Sequence, residues 1–134
     1  MSHHEDVQTL LSRYSLAYDS HDLETMADCF TEAATFSMKL PDAEPVVFDG
    51  KETIMKLMTD SMQTQTDQRR HVNTNLIVDA ADPEVTRTTH YLTLLGTENG
   101  AIQLLSAGVY RCEIVDEGGT LRFRKLHLDL DKSY

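Results

Sequence analysis

Cysteine is scarce in this sequence, with only Cys29 and Cys112 among 134 residues. Two cysteines are too few for a disulfide framework and lack the spacing of a metal site, so we expect two reduced, partly buried thiols. Long apolar runs are missing too, because no stretch approaches the ~18 residues of a membrane span. The first residues also lack a cationic segment followed by an apolar one. We therefore expect a cytoplasmic protein without a membrane span.

Basic residues are few as well: 12 Lys and Arg stand against 22 Asp and Glu, a formal net charge of -10. A phosphate backbone attracts the opposite sign of charge, so we do not expect nucleic acid as a partner. The apolar fraction of 40% is that of an ordinary globular protein. No repeat or low-complexity segment interrupts the chain, and the proline-bounded residues 41–45 are too short for a linker. We expect one domain over residues 1–134.

The first half of the chain has the apolar spacing of amphipathic helices. A helix is predicted over residues 5–19, with a buried stripe formed by Val7, Leu10, Leu11, Tyr14 and Ala17. Asp22 is predicted as the N-cap of a second, short helix whose inner side includes Phe30. A third helix is predicted after Gly50 and fades within residues 63–68.

The remaining segments read as strands joined by strong turn signals. Two short strands are predicted at 34–40 and 46–48, and four longer ones at 71–79, 84–95, 102–115 and 120–130. The connections contain Asp-Pro, Asn-Gly and Gly-Gly pairs, which suit antiparallel hairpins. The sequence therefore predicts an α+β fold in which a curved, mixed or antiparallel sheet wraps around three amino-terminal helices as a cone.

Three segments resemble SnoaL-like proteins of the nuclear transport factor 2-like superfamily. Residues 18–36 (YDSHDLETMADCFTEAATF) resemble the opening of that family, and residues 48–54 (FDGKETI) resemble the entry to its third helix. Residues 70–79 (RHVNTNLIVD) resemble its first long strand. The similarity covers nearly the whole chain. It implies a cystatin-like α+β barrel with a ligand pocket.

One branch of that superfamily, which contains scytalone dehydratase and lindane dehydrochlorinase, uses an Asp on the first helix and a His that opens the long strand. Asp19 and His71 match those two places. The Tyr18-Asp19 pair resembles the dehydratase, whose second histidine on a neighbouring strand would correspond to His90. The dehydrochlorinase carries a lysine on its first helix, and in this sequence Tyr14 lies near that place. The difference counts against dehydrochlorination.

The residues at these places suit proton abstraction. A neutral imidazole, with an unperturbed pKa of ~6.5, accepts a proton from an acidified carbon at neutral pH, so His71 is the predicted base. Asp19 would bind the other ring nitrogen, fix the tautomer and stabilise the imidazolium. Tyr14 and Tyr18 are candidate donors to an enolate oxygen, and His90 is the candidate acid for a leaving hydroxyl. This chemistry calls for no cofactor and no metal.

Each of these residues also has a purely structural interpretation. Asp19 would end the first helix, and His71 would lie exposed at the entrance of a strand. Tyr14 and Tyr18 would be core aromatics, and His90 a core histidine turned inward by the alternation of its strand. The remaining histidines are predicted to be frayed or exposed positions without a site: His3, His4, His21 and His127.

These observations leave two classes of function open. The first is a cofactor-independent lyase (dehydratase) or isomerase that acts on a small hydrophobic, oxygenated substrate such as a polyketide, aromatic or steroid-like compound. The second is a non-catalytic small-ligand-binding or assembly module of the same fold. A third possibility, epoxide hydrolysis, would need an Asp-Arg-Asp arrangement, for which Asp129 with Arg111 or Arg87 are available.

A homodimer or homotrimer is expected, because oligomers are common in this superfamily. The predicted interface is an exposed sheet face with alternating residues, namely Val85, Tyr91, Leu104 and Tyr110.

Overall fold

The computed structural model describes residues 3–134 and forms one six-stranded sheet with three helices in that range. The elements in chain order are α1 (His3–Asp19), α2 (Leu23–Asp28), β1 (Phe30–Lys39), β2 (Val46–Asp49), α3 (Lys51–Thr64), β3 (Gln68–Asp79), β4 (Thr86–Glu98), β5 (Ala101–Glu117) and β6 (Thr120–Leu130). The strand order is β2-β1-β6-β5-β4-β3. Strands β1 and β6 pair in parallel and all other neighbours pair antiparallel. The predicted α+β class, with a curved mixed sheet around amino-terminal helices, is confirmed.

Helix α1 fills the inside of the sheet with the apolar stripe that its spacing predicts. It packs against β3 and β6, while α3 packs against β1 and β2. The aromatic centre of the core joins α1 to the sheet. Tyr14 lies edge-on to Phe30 and to Phe123, with ring centroids 5.8 and 5.7 Å apart. This packing places the last turn of α1 against the sheet.

The placement of Phe30 in the second helix is wrong, since this residue begins β1. Helix α2 ends at Asp28, and the carbonyl of its C-cap residue Cys29 accepts a hydrogen bond from the backbone N–H of Phe123 at 2.7 Å. The chain therefore joins the sheet at residue 30, four residues before the predicted start of the strand. The predicted cap is confirmed, because Asp22 Oδ1 accepts a hydrogen bond from Thr25 N at 3.1 Å.

Strand β3 contains an irregularity that sequence alternation alone does not show. Its pairing with β4 shifts register between Thr74 and Ile77, and Asn75 has a positive φ of 59°. Side chains of His71 and Asn73 therefore face the helices before the bulge, and Leu76 and Val78 face them after it. The bulge lets one strand present two polar side chains to α1 and then return to apolar packing.

Half of the predicted interface residues lie on the exposed sheet face. Tyr91 is 53% and Leu104 67% exposed, but Val85 and Tyr110 are buried in the core, and their assignment to that face is wrong. Tyr110 pairs with the inward-facing His90 across β4 and β5, so both side chains lie on the inner face. Val85 precedes β4 and turns inward before the strand alternation begins.

Candidate active site

Asp19 and His71 form a hydrogen-bonded pair between the end of α1 and the start of β3. Asp19 Oδ1 lies 2.6 Å from His71 Nδ1, and each side chain is only 7% exposed. Because a carboxylate accepts hydrogen bonds, Nδ1 carries the proton in this contact, and in the neutral ring Nε2 then has the free lone pair. The structure thus brings together the two residues that the resemblance singles out.

Backbone contacts hold this pair in place. The other carboxylate oxygen of Asp19, Oδ2, accepts a hydrogen bond from the backbone N–H of His71 at 3.0 Å. Gln68 Nε2 donates to the backbone carbonyl of Asp19 at 2.7 Å. One turn earlier on α1, Asn73 Nδ2 donates to Ser15 Oγ at 2.8 Å. The helix end and the strand are therefore joined at several points, which fixes the distance between carboxylate and imidazole.

The His71 side chain forms part of the wall of a small, partly open chamber of about 50 Å³. The hydroxyl-bearing residues of its wall are Tyr14, Tyr18, Ser61, Tyr110 and Tyr134. The remaining wall is apolar and comes from β1, α3, β4 and β6. Since Nδ1 is bound to Asp19, the edge of the ring that carries Nε2 is the one available to a ligand.

Tyr18 lies directly against the pair. Its ring centroid is 4.6 Å from that of His71, and its hydroxyl oxygen accepts a hydrogen bond from Gln65 Nε2. Because the oxygen is the acceptor in that contact, the hydroxyl hydrogen is left to donate to a ligand. Burial raises the pKa of Tyr18, and it raises the pKa of Tyr14 and of Tyr110 further. These phenols are therefore neutral hydrogen-bond donors across the neutral pH range.

His90 lies on the inner face of β4, as its alternation predicts, but it is not among the residues that line the chamber. Its ring stacks on Tyr110 with centroids 5.0 Å apart. The side chain is only 2% exposed, and burial lowers its pKa to about 4. His90 is neutral at pH 7 and does not line the chamber, and neither observation supports its predicted role as the proton donor.

The residues considered for epoxide hydrolysis lie elsewhere. Asp129 accepts hydrogen bonds from Arg111 and His127 on the outer face of the sheet, where Ser37 Oγ is 2.6 Å from His127 Nδ1. Arg87 is paired with Asp82 and Glu113. None of these residues lines the chamber, so they do not form an Asp-Arg-Asp arrangement around a water molecule there.

Two other predictions concern side chains remote from the chamber. His3 was expected at a frayed end but lies in α1, with Nε2 2.7 Å from Thr86 Oγ1. The cysteines are fully rather than partly buried, and burial raises the pKa of Cys29 to about 11 and that of Cys112 to about 12. Among the described residues, no three His, Cys, Asp or Glu side chains are grouped where they could hold a metal ion.

The sequence did not reveal several residues that support the site. Three amide side chains donate the hydrogen bonds that orient Tyr18, Asp19 and Ser15, namely those of Gln65, Gln68 and Asn73, respectively. No sequence signal points to them, because polar residues near the end of a helix are normally exposed to solvent. A signal for Tyr110 was available. It alternates with Gly108 and Cys112, a pattern of small residues that suits an inner face crowded by helices.

The sequence model of the SnoaL-like domain matches residues 1–127 of the chain. The chain belongs to the SnoaL-like domain family. None of the helices in the described part of this SnoaL-like domain is both long and apolar enough to span a membrane. Comparison with curated protein sequences gave no match.

Several solved structures share the fold of this SnoaL-like domain. ActVI-ORFA from Streptomyces coelicolor is 20% identical with a TM-score of 0.83, over 97% of this chain and 98% of that chain. A protein from Catenulispora acidiphila, solved in complex with S-DNPA, is 23% identical with a TM-score of 0.82, over 95% and 92%. An NTF2-like protein with a cystatin-like fold from Novosphingobium aromaticivorans is 15% identical with a TM-score of 0.79, over 95% and 80%. These likenesses confirm the cystatin-like, NTF2-like architecture.

The chamber lined by His71 brings tyrosine hydroxyls, an imidazole and apolar side chains together, and that imidazole is hydrogen-bonded to Asp19.

Proposed function

We propose that this SnoaL-like domain is a cofactor-independent lyase (dehydratase) or isomerase, nearest in chemistry to scytalone dehydratase. His71 abstracts a proton from a small hydrophobic, oxygenated substrate, and Asp19 orients the imidazole. The observation that carries this proposal is the 2.6 Å contact between Asp19 Oδ1 and His71 Nδ1, because the imidazole in that contact lines a chamber with mostly apolar walls.

The proton transfer follows from the hydrogen bonds of the pair. His71 Nε2 accepts a proton from a carbon next to a carbonyl group, and the ring becomes an imidazolium. The Asp19 carboxylate stabilises that positive charge because it lies at hydrogen-bond distance in a site shielded from water. The electron pair of the broken C–H bond moves onto the carbonyl oxygen as an enolate.

The enolate oxygen needs a donor, and the chamber offers phenols. Tyr18 has its hydroxyl hydrogen free of the Gln65 contact, and Tyr14 and Tyr110 line the same space. Donors that are already positioned and buried stabilise developing charge more strongly than water does. The imidazolium of His71 then returns its proton, either to another carbon, which is isomerisation, or to a departing β-hydroxyl, which is dehydration. His90 has no part in this sequence.

A ligand-binding module without chemistry is the second candidate. It is favoured by the position of His90, which does not line the chamber and leaves His71 as the one imidazole among the described residues of its wall. The two candidates differ in a single respect, namely whether a bound ketone loses a proton to His71.

Exchange of α-protons for deuterium separates the candidates. We suggest 2-tetralone in D₂O, followed by proton NMR, as a small hydrophobic ketone with acidic α-protons. His71→Asn is the matched variant, because its amide can donate to Asp19 but has no base at the Nε2 position. Removal of a general base lowers rates by about 10²- to 10⁴-fold. Exchange by the parent that falls to the buffer rate in His71→Asn supports the enzyme. Equal exchange by parent and variant, or none above buffer, contradicts it.

A further inference from the structure

The chamber at His71 is too small for the ligand that its chemistry calls for. Its volume of about 50 Å³ holds one or two water molecules, each of which occupies ~30 Å³ in the liquid. Pockets for drug-sized ligands begin at about 300 Å³. Part of the chamber wall must therefore move before a bicyclic compound can reach the imidazole.

Tyr134 is the part of the wall that can move. Tyr14, Tyr18 and Tyr110 belong to a helix or a strand and are buried, whereas Tyr134 is 54% exposed and follows the end of β6. Asp131 N donates to Ala107 O at 2.8 Å and Ser106 Oγ donates to Lys132 O at 2.7 Å, and neither hydrogen bond involves Tyr134. Rotation of the Tyr134 side chain therefore breaks no helix or sheet hydrogen bond.

On its far side Tyr134 borders a second, larger space. This apolar recess has a volume of about 240 Å³, and its apolar wall consists of Met38, Leu40, Ala43, Val46 and Leu130. Met38 and Tyr134 line both the recess and the chamber, so the tyrosine ring is a partition between them. Displacement of the ring would join the two spaces and give a ligand pocket of ordinary size.

The Tyr134 ring rests on a guanidinium group that the structure holds in place. Arg69 Cζ is 5.1 Å from the ring centroid, and Arg69 Nε donates to Asp67 Oδ2 at 2.7 Å. Gly96 makes room for this ion pair, since a Cβ atom there would lie 2.3 Å from Asp67 Oδ2. Arg69 lies two residues before His71 on the same face of β3 and, with Tyr134, lines a neighbouring cavity of about 420 Å³.

We propose that Tyr134 occupies the place of the ligand, and that a planar aromatic ligand displaces it and takes over its position on the Arg69 guanidinium. The remaining carbon skeleton of the ligand extends into the apolar recess. Arg69 is then a specificity-determining residue that selects planar rings over saturated ones. The orientation of the reactive carbon toward His71 rests on the proposed function, whereas the displacement of Tyr134 does not.

Binding of 2-naphthol, measured by its fluorescence, tests the displacement without any turnover. Tyr134→Ala removes the competing ring and leaves Arg69 free, so it should bind 2-naphthol roughly two- to five-fold more tightly than the parent, the range of one cation–π contact. Tyr134→Phe keeps a ring on the guanidinium and should bind as the parent does. Tyr91→Ala, which removes an exposed tyrosine from the outer sheet face, is the matched control and should also bind as the parent does.

The role of Arg69 is tested in the Tyr134→Ala background. Arg69→Lys keeps the charge opposite Asp67 but lacks the planar surface, so it should weaken 2-naphthol binding roughly two- to five-fold. Binding of cyclohexanol, measured by displacement of 2-naphthol, should not change. Three results would overturn the proposal. Tyr134→Ala could bind 2-naphthol no more tightly than the parent, Arg69→Lys could weaken the binding of 2-naphthol and cyclohexanol alike, or no variant could bind at all. Repeating the titrations in His71→Asn separates this result from that of the proton-exchange experiment, because displacement of Tyr134 does not require the base.

Discussion

Asparagine at position 19 tests how much of the chemistry depends on a carboxylate. Both oxygens of Asp19 accept hydrogen bonds from His71: Oδ1 from the ring at 2.6 Å and Oδ2 from the backbone N–H at 3.0 Å. An asparagine amide has one acceptor and one donor. If its oxygen faces the ring, its NH₂ group opposes the backbone N–H of His71. If its NH₂ group faces the ring, Nδ1 must be the acceptor, the proton moves to Nε2, and His71 is no longer a base.

The magnitude follows from the loss of the charge. A hydrogen bond to a charged group contributes about 1.5 to 3 kcal/mol. The charge of Asp19 acts most strongly when His71 is an imidazolium, as it is after proton transfer. One tenfold change in rate corresponds to about 1.4 kcal/mol, so Asp19→Asn should slow turnover roughly 10- to 100-fold even in the better orientation. The orientation with the proton on Nε2 abolishes turnover.

Two measurements check this prediction. Deuterium exchange into 2-tetralone gives the rate, and ¹⁵N NMR of the His71 ring shows which nitrogen carries the proton. Asp22→Asn is the matched control, because asparagine caps a helix as well as aspartate does and Asp22 lies outside the chamber. Full exchange activity in Asp19→Asn, with the ring proton still on Nδ1, would refute the proposed role of the carboxylate.

The remaining predictions concern the core. Burial lowers the pKa of His90 in the folded chain to about 4, whereas an exposed histidine in the unfolded chain has a pKa of ~6.5. As the pH drops from 6.5 to 4, the unfolded chain is therefore protonated at His90 before the folded chain is, and the free energy of unfolding should fall by about 3 kcal/mol. Urea unfolding of the parent against His90→Gln, which lacks this dependence, measures the difference. Cys29 and Cys112 should not react with Ellman's reagent until urea unfolds the protein, because both thiols are buried and their pKa values are raised to about 11 and about 12. Reaction in the native state would contradict their burial. Phe123→Ala should lower the free energy of unfolding by about 3 to 5 kcal/mol, since it empties the fully buried centre of the core beside Tyr14. A loss below 1 kcal/mol in urea unfolding would show that the core refills the space.

The sequence allowed the framework of this fold to be predicted, because its signals are local. The apolar stripe of α1, the Asp22 cap and the Thr120–Leu130 strand each depend on neighbours within a few residues. The ends of elements were predicted less well where tertiary pairing decides them. Phe30 joins the sheet because Phe123 is available to pair with it, and that partner is distant in the chain.

The site illustrates the same division between local and distant information. Asp19 and His71 were predicted through a family resemblance, and their hydrogen bond is present in the structure. The face of Tyr110 was mistaken because β5 is partly apolar on both faces, so that only the small residues that alternate with it, Gly108 and Cys112, indicate which face is buried. The absence of His90 from the chamber wall depends on side-chain packing, which alternation along a strand does not show.

The position of Asp19 in its helix argues that its charge is used. A carboxylate at the carboxyl end of a helix faces the negative end of the helix dipole, which costs about 0.3 to 1 kcal/mol, and the last turn of α1 contains no basic residue to offset it. The donors that stabilise the charge come instead from His71. Asparagine would relieve the dipole while losing part of the hydrogen bonding, so Asp19→Asn should change the free energy of unfolding less than it changes the activation free energy. If urea unfolding shows as large a change as the exchange rate does, Asp19 joins α1 to β3 and has no further role.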